Sequence, residues 1–147
     1  MLAKEHAVKI LVAADGSACA RRIVDYLARS DGPFGANHEY ELLHVVEPLP
    51  HPAAAHEPVA SVHHLYDEDG RMVLREIEAL FDRAGIRVKS GWVLGRPAAA
   101  LARHADEGHC DLLVLGSHGR GRLGNFVLGS VAAEVLASCR TPVLVVR

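Results

Sequence analysis

The sequence is most informative over residues 111–131, which read Asp111-Leu-Leu-Val-Leu-Gly-Ser-His-Gly-Arg-Gly-Arg-Leu-Gly-Asn-Phe-Val-Leu-Gly-Ser-Val131. The apolar run from Leu112 to Leu115 is too short for a helix and stops at a glycine, which is typical of a strand buried on both faces. Residues 116–129 then hold five of the chain's 13 glycines. After Ser130 the apolar residues return at helical spacing. Strand, glycine-rich loop and helix together present backbone N–H groups and a positive helix end to an anion.

The glycine-rich loop has two interpretations, a flexible surface connection and a phosphate-binding loop. Glycine-rich segments are often flexible connections. Arg120 and Arg122, however, supply cationic donors, and Gly129-Ser130 falls at the predicted helix start. The spacing is neither that of Gly-x4-Gly-Lys-[Ser/Thr] nor that of Gly-x-Gly-x-x-Gly after a first strand. The residues of the loop alone leave both interpretations open.

Length and composition predict one globular domain, residues 1–147. A chain of 147 residues buries about two-thirds of its unfolded surface. The residues are 50% hydrophobic and 23% charged, with a net charge of −2, which gives no reason to expect nucleic acid or a membrane as partner. The N-terminus lacks the pattern of a signal peptide. Cys19, Cys110 and Cys139 are expected to be buried thiols rather than disulfides, which favours a cytoplasmic protein.

The rest of the chain alternates between strand and helix patterns. Apolar or alternating runs predict strands over residues 9–14, 40–46, 86–93, 112–115 and 143–146. Helical spacing predicts helices after the N-cap Ser17, over about 62–84, from Pro97, and over about 130–138. Gly70 inside the second helix is unfavourable by about 1 kcal/mol relative to alanine. Four prolines make residues 47–60 a loop.

This order predicts an α/β fold with a doubly wound, five-stranded parallel sheet and helices on both faces. With strand order 3-2-1-4-5, the order reverses between the first and fourth strands. Ligands of such sheets bind at the reversal, beyond the carboxyl ends of the strands. Asp15 ends the first strand and Gly116 the fourth, so we expect both at the site. The alternating strand 86–93 suits a sheet edge.

Several blocks of the sequence resemble the universal stress proteins. Gly116-x2-Gly119-x9-Gly129-Ser130 is similar to the nucleotide-binding motif of the ATP-binding branch of that family. Residues 110–120 and 129–147 resemble the family's C-terminal blocks, and residues 10–17, 43–46 and 95–98 resemble its first strand and turn, its second strand and the entry to its third helix. The resemblance extends over nearly the whole chain except residues 47–70. It implies the adenine nucleotide alpha hydrolase-like fold.

The resemblance also implies an ATP site of ten residues. Carried over position by position, these are Ala14, Asp15 and Val45 at the adenine and ribose, Leu115, Gly116 and Ser117 along the ribose, Gly119 near the phosphates, and Gly129, Ser130 and Val131 around the phosphate oxygens. Mg²⁺ would be held mainly by phosphate oxygens and water. Ala132 stands where many relatives have serine or threonine, which removes one hydroxyl that could contact phosphate.

The function expected from these features is that of an ATP-binding regulatory protein, which acts through nucleotide-dependent conformation or partner choice. One alternative is a slow ATPase on the same fold, for which Asp15 is a conceivable base; no catalytic residue is assigned. The other is a scaffold that binds no nucleotide. The strand Val143–Val146 is apolar and expected at a sheet edge, so we also expect a homodimer.

Other polar residues are weaker candidates for a site. The histidines that cluster in the sequence are His51, His56, His63 and His64; no zinc motif accompanies them, so we expect solvated side chains. His44 is expected to be a hydrogen-bonded core residue. His118 either contacts a phosphate or caps the loop. Asp106 and Glu107 are expected on a solvated helix face.

Overall fold

The structure of the protein is a computed structural model that describes residues 6–50, 58–118 and 128–147. The strands of these residues are β1 (Lys9–Ala14), β2 (Glu39–Val46), β3 (Val88–Leu94), β4 (Leu112–Gly116) and β5 (Val143–Val146). The helices are α1 (Ala18–Leu27), α2 (Val59–Arg83), α3 (Pro97–Glu107) and α4 (Ser130–Ser138). All strand pairs are parallel, in the order β3-β2-β1-β4-β5. The predicted topology, with its reversal between β1 and β4, is therefore confirmed.

Both faces of the sheet are covered by helices, as predicted. Along β1, Ile10 and Val12 pack with residues of α1 and α2, whereas Leu11 packs with residues of α3 and α4. Successive side chains of a strand point to opposite faces, and all three are at most 2% exposed. A strand buried on both faces needs apolar side chains at every position, which explains the unbroken apolar sequence of β1.

The two edges of the sheet are β3 and β5. The edge position predicted for the third strand is confirmed, but its predicted start is two residues too early. Ile86 is only 3% exposed, and its N–H donates to the Phe81 carbonyl at 3.0 Å. Gly85 before it has φ +71°, as expected of a glycine that ends a helix. Ile86 therefore closes the end of α2 and does not belong to β3.

Helix α2 begins at Val59, so part of the segment expected as a loop is helical. Gly70 lies in the middle of this helix, where a Cβ atom would come within 2.6 Å of Trp92 Cγ on β3. The absence of a side chain thus lets the helix lie directly against the indole ring. This contact offsets the unfavourable helix propensity of glycine.

The three cysteines are free thiols. Cys19 and Cys110 are buried as predicted, whereas Cys139 is half-buried. Burial raises the pKa of the Cys110 and Cys139 thiols. Within the parts of the chain that the structure describes, no helix has both the length and the apolar character needed to cross a bilayer.

Candidate functional site

A cavity of about 460 Å³ lies at the carboxyl edge of the sheet, where the strand order reverses. Nine of the ten residues implied for the site line it, and they are Ala14, Asp15, Val45, Leu115, Gly116, Ser117, Gly129, Ser130 and Val131. The tenth, Gly119, lies outside the described residues, as do Arg120, Gly121, Arg122, Gly124, His51 and His56. The structure thus brings together residues from three strand ends and the start of α4.

The turn after β1 holds Asp15 at the cavity wall. Gly16 has φ +68°, a conformation that favours glycine. This turn lets the Ser17 N–H donate to Asp15 Oδ1 at 2.9 Å, while Ser17 Oγ accepts from the Cys19 N–H at 3.3 Å. Ser17 is therefore the N-cap of α1, as predicted. The Asp15 carboxylate is oriented by the backbone before any ligand arrives.

Gly116 is held in close contact with α1. A Cβ atom at this position would overlap Cβ of Cys19 and lie 3.0 Å from its Sγ. Cys19 is only 7% exposed and belongs to the first turn of α1, so it has little room to move. Glycine at 116 therefore brings the end of β4 close to the start of α1, beside the cavity.

Ser117 joins the two ends of the glycine-rich loop. Its N–H donates to the Val146 carbonyl of β5 at 2.9 Å, and its own carbonyl accepts from the Gly129 N–H at 2.6 Å. The Ser117 side chain also forms a hydrogen bond, because its Oγ lies 2.9 Å from His118 Nδ1. Ser117 is only 4% exposed. His118 thus makes a local hydrogen bond, and its contact with a phosphate stays a prediction.

The start of α4 supplies backbone donors to the cavity. Gly129 is the N-cap residue, with φ −58° and ψ 152°, and Ser130 is the first helical residue, as predicted. No described side chain caps this helix. The N–H groups of the first turn have no partner within a helix, and Ser130, Val131 and Ala132 all line the cavity. Unpaired N–H groups at the positive end of a helix form an anion-binding arrangement.

The opposite wall contains residues that the sequence analysis did not assign to the site. They include His44 and Glu47 at the end of β2 and Asp69 on α2. Glu47 directly follows β2. Asp15 was predicted at the site because it follows the carboxyl end of a strand, and the same argument predicts Glu47 there. Asp69 carries no such signal, because only the packing of α2 against β2 and β3 brings it to the cavity. The Nδ1 atom of His44 lies 2.6 Å from the Ala14 carbonyl oxygen, so the expected hydrogen bond is confirmed. The expected core position is wrong, because His44 is half-buried and lines the cavity.

The expectation that Asp106 lies on a solvated face is wrong. Its side chain is 14% exposed and accepts hydrogen bonds from Thr141 N–H at 2.9 Å and Thr141 Oγ1 at 2.8 Å. The hydrogen bond from the Thr141 hydroxyl is the largest cause that lowers the pKa of Asp106, and the backbone N–H groups of Thr141 and Arg140 lower it further. Partial burial raises this pKa by less, so the result is a pKa of about 2. The neighbouring Glu107 is exposed, as expected.

The remaining histidines of the sequence cluster make separate contacts. The His63 ring is tilted by 59° against the Trp92 ring at a centroid distance of 6.0 Å, whereas His64 Nε2 lies 3.3 Å from Glu68 Oε1. Among residues 6–50, 58–118 and 128–147, no three His, Cys, Asp or Glu side chains are grouped so as to hold a metal ion.

The strand order, with a cavity at the point where it reverses, is that of the doubly wound α/β proteins, whose ligands bind beyond the carboxyl ends of the strands at this point. The solved structure of MJ0577 from Methanocaldococcus jannaschii has this fold, with a TM-score of 0.74, 26% identity and 94% of each chain covered. The sequence profile of the Universal stress protein family matches residues 8–147. The chain belongs to the universal stress protein family.

Individual relatives agree with this assignment. A universal stress protein of Thermus aquaticus is 32% identical over 143 residues, which cover 94% of this chain and 97% of the relative. Slr1230 of Synechocystis is 29% identical over 140 residues; the match covers 95% of this chain but only 42% of that longer relative. The crystal structure of a universal stress protein in complex with cAMP has a TM-score of 0.62 and 28% identity, with 95% of this chain and 96% of that chain covered.

Proposed function

We propose that the cavity at the carboxyl edge of the sheet binds ATP, which would place this chain in the ATP-binding branch of its family. The observation that carries the proposal is the convergence of nine sequence-implied residues on one cavity, which includes the start of α4, where no described side chain caps the helix. The relative that binds cAMP is similar over nearly its whole length and supports an adenine nucleotide as ligand. The protein would then act as a regulator in the cytoplasm, through nucleotide-dependent conformation or partner binding.

The phosphates of this ATP lie at the start of α4. The first-turn N–H groups and the Ser130 hydroxyl donate to phosphate oxygens, and the helix dipole favours their negative charge. Gly116 and Gly129 leave room for the ligand beside the backbone. Asp15, Ala14 and Val45 then lie at the ribose and adenine, and Mg²⁺ is held by phosphate oxygens and water.

Calorimetric titration of Mg²⁺ and ATP into three proteins tests this proposal: the wild type, Ser130→Asp and Ser61→Asp. An aspartate in the first turn favours the helix, so Ser130→Asp keeps the fold while its charge repels phosphate. Loss of charge-assisted hydrogen bonds weakens binding by about 10- to 100-fold. Ser61→Asp makes the same change in the first turn of α2, away from the cavity, and keeps wild-type affinity. Absence of saturable binding by the wild type contradicts the proposal.

The two alternative functions are tested in the same samples. A slow ATPase would release phosphate over many turnovers per chain, whereas a regulator retains ATP with little release. A scaffold of the same family would bind no nucleotide in any of the three proteins. The proposed homodimer does not depend on these outcomes, because it involves the edge strand β5 and not the cavity.

A further inference from the structure

The starts of two helices meet at the cavity. Pro97, the first residue of α3, and Ser130, the first residue of α4, both line it. Among the described residues that line the cavity, none is a lysine or an arginine. Arg96, however, is the N-cap residue of α3 and directly precedes Pro97. The start of α3 therefore carries a cation beside a cavity whose described lining has none.

Arg96 is held by a glutamate of α4. Its Nη2 donates to Glu134 Oε1 at 3.3 Å. Glu134 lies four residues after Ser130, so the two residues share one face of α4. The side chains of a helix lean towards its N-terminus. The ion pair of Arg96 and Glu134 therefore lies towards the first turn of α4, on the face that carries Ser130.

The ion pair between Arg96 and Glu134 is weak enough to be exchanged for another partner. The two side chains are 81% and 50% exposed, and exposed ion pairs contribute little to stability because water screens their charges. The terminal phosphate of ATP is more highly charged than a carboxylate, and its oxygens accept parallel hydrogen bonds from the planar guanidinium. A phosphate at the start of α4 thus competes successfully with Glu134 for the same guanidinium.

We propose that Arg96 leaves Glu134 to bind the terminal phosphate of ATP, and that it thereby distinguishes a nucleoside triphosphate from a monophosphate. This inference rests on the nucleotide binding proposed above, and it adds a residue to the ten implied for the site. The first phosphate stays next to the ribose, whereas the terminal phosphate extends along the start of α4 to the guanidinium. Release of Glu134 also breaks an ion pair between α3 and α4, which makes the contact of these helices dependent on the nucleotide.

The experiment measures dissociation constants for ATP and AMP, at equal Mg²⁺, by calorimetric titration. The variants are Arg96→Gln and Glu134→Gln, each of which removes one charge of the pair and keeps a long polar side chain. The controls are Arg29→Gln and Asp31→Asn, which break another exposed ion pair, with 3.2 Å between its nitrogen and oxygen. That pair follows the end of α1, and neither of its residues lines the cavity.

The two variants are expected to change the ATP affinity in opposite directions. Arg96→Gln weakens ATP binding by about 10-fold, the low end for charge-assisted hydrogen bonds, whereas AMP, which does not reach Arg96, binds as it does to the wild type. Glu134→Gln tightens ATP binding by about two- to fivefold, the value of an exposed ion pair, because the competing acceptor and its negative charge are gone. Both control variants keep the wild-type affinities.

An ion pair that only stabilised the contact of α3 with α4 would give a different result, because either variant breaks it and both would then shift the affinity in the same direction. Unchanged ATP affinity in Arg96→Gln, equal losses for ATP and AMP in that variant, or weaker ATP binding by Glu134→Gln overturns the role of Arg96 even though ATP binds. If the wild type binds neither nucleotide, the nucleotide function itself fails, and the role of Arg96 with it. Should Arg96→Gln not fold, Arg96→Lys decides: it keeps the charge but not the planar guanidinium, and we expect it to weaken ATP binding and not AMP binding.

Discussion

Asp106 joins the end of α3 to the segment that leads into β5. Its carboxylate accepts from the N–H and the hydroxyl of Thr141, and from the Arg140 N–H at 3.3 Å. These donors stabilise the ionised form, so the pKa falls from 3.8 to about 2, with the Thr141 hydroxyl as the largest cause. A carboxyl group whose pKa is lowered in the folded state contributes stability above its unfolded pKa. That contribution is lost as pH falls through the folded value.

The variant Asp106→Asn tests whether the ionised Asp106 carboxylate stabilises the fold. We expect a lower urea midpoint than that of the wild type at pH 6, because the charge-assisted hydrogen bonds are gone. The two midpoints then converge as pH falls from 3.8 towards about 2, the interval between the unfolded and folded pKa of Asp106. Glu107→Gln removes a neighbouring exposed carboxylate and follows the wild type throughout. A constant gap between Asp106→Asn and the wild type over this interval would show that the carboxylate is not the source of the difference.

Helix α2 and strand β3 meet through Gly70 and Trp92. The Trp92 Nε1 also donates to Asp67 Oδ1 at 3.0 Å, one turn earlier on the helix. Gly70→Ala raises helix propensity by about 1 kcal/mol, but its Cβ would lie within 2.6 Å of the ring. Because overpacking dominates, we expect unfolding to become easier by about 1–3 kcal/mol, measured by urea denaturation.

Two further variants test whether the contact with Trp92, and not the loss of a glycine as such, causes the destabilisation. Gly91→Ala on β3 adds a Cβ that meets nothing within 4 Å, and we expect it to be neutral or to stabilise by up to about 1 kcal/mol. In a Trp92→Ala background the Cγ atom at 2.6 Å and the ring are absent, so Gly70→Ala is much less destabilising than in the wild type. If Gly70→Ala is equally unfavourable in both backgrounds, the indole is not what requires glycine.

The same elements show what could be predicted from the sequence. Strands β1 and β4 were predicted correctly because a strand buried on both faces is apolar at every position, and their polar ends located one wall of the cavity. The opposite wall also includes Asp69, which the packing of α2 against β2 and β3 brings to the cavity, with Gly70 lying against Trp92. That contact joins residues far apart in the chain, and neither residue signals it alone. The Asp106–Thr141 hydrogen bonds were missed for the same reason.

At the scale of the whole molecule, the exposed edge of β5 bears on assembly. Leu113 N–H donates to the Pro142 carbonyl and Ser117 N–H to the Val146 carbonyl, so the even-numbered residues of this segment face β4. The backbone groups of Val143 and Val145 therefore point away from the sheet. Among the described residues no strand pairs with this side of β5, and apolar side chains beside unpaired backbone groups favour pairing with another chain. Two copies that pair antiparallel through β5 about a two-fold axis would satisfy both edges at once.

Val145→Pro is the sharpest test of this dimer. Proline removes the one N–H of Val145, which faces outward, and proline is tolerated in an edge strand when that N–H does not pair within the sheet. We expect the wild type to have the mass of two chains by light scattering at micromolar concentration, and Val145→Pro the mass of one with its circular dichroism unchanged. Val145→Thr keeps both the N–H and the branched side chain, so it stays dimeric. A wild type with the mass of one chain excludes the dimer, and a Val145→Pro protein with the mass of two chains excludes pairing through β5.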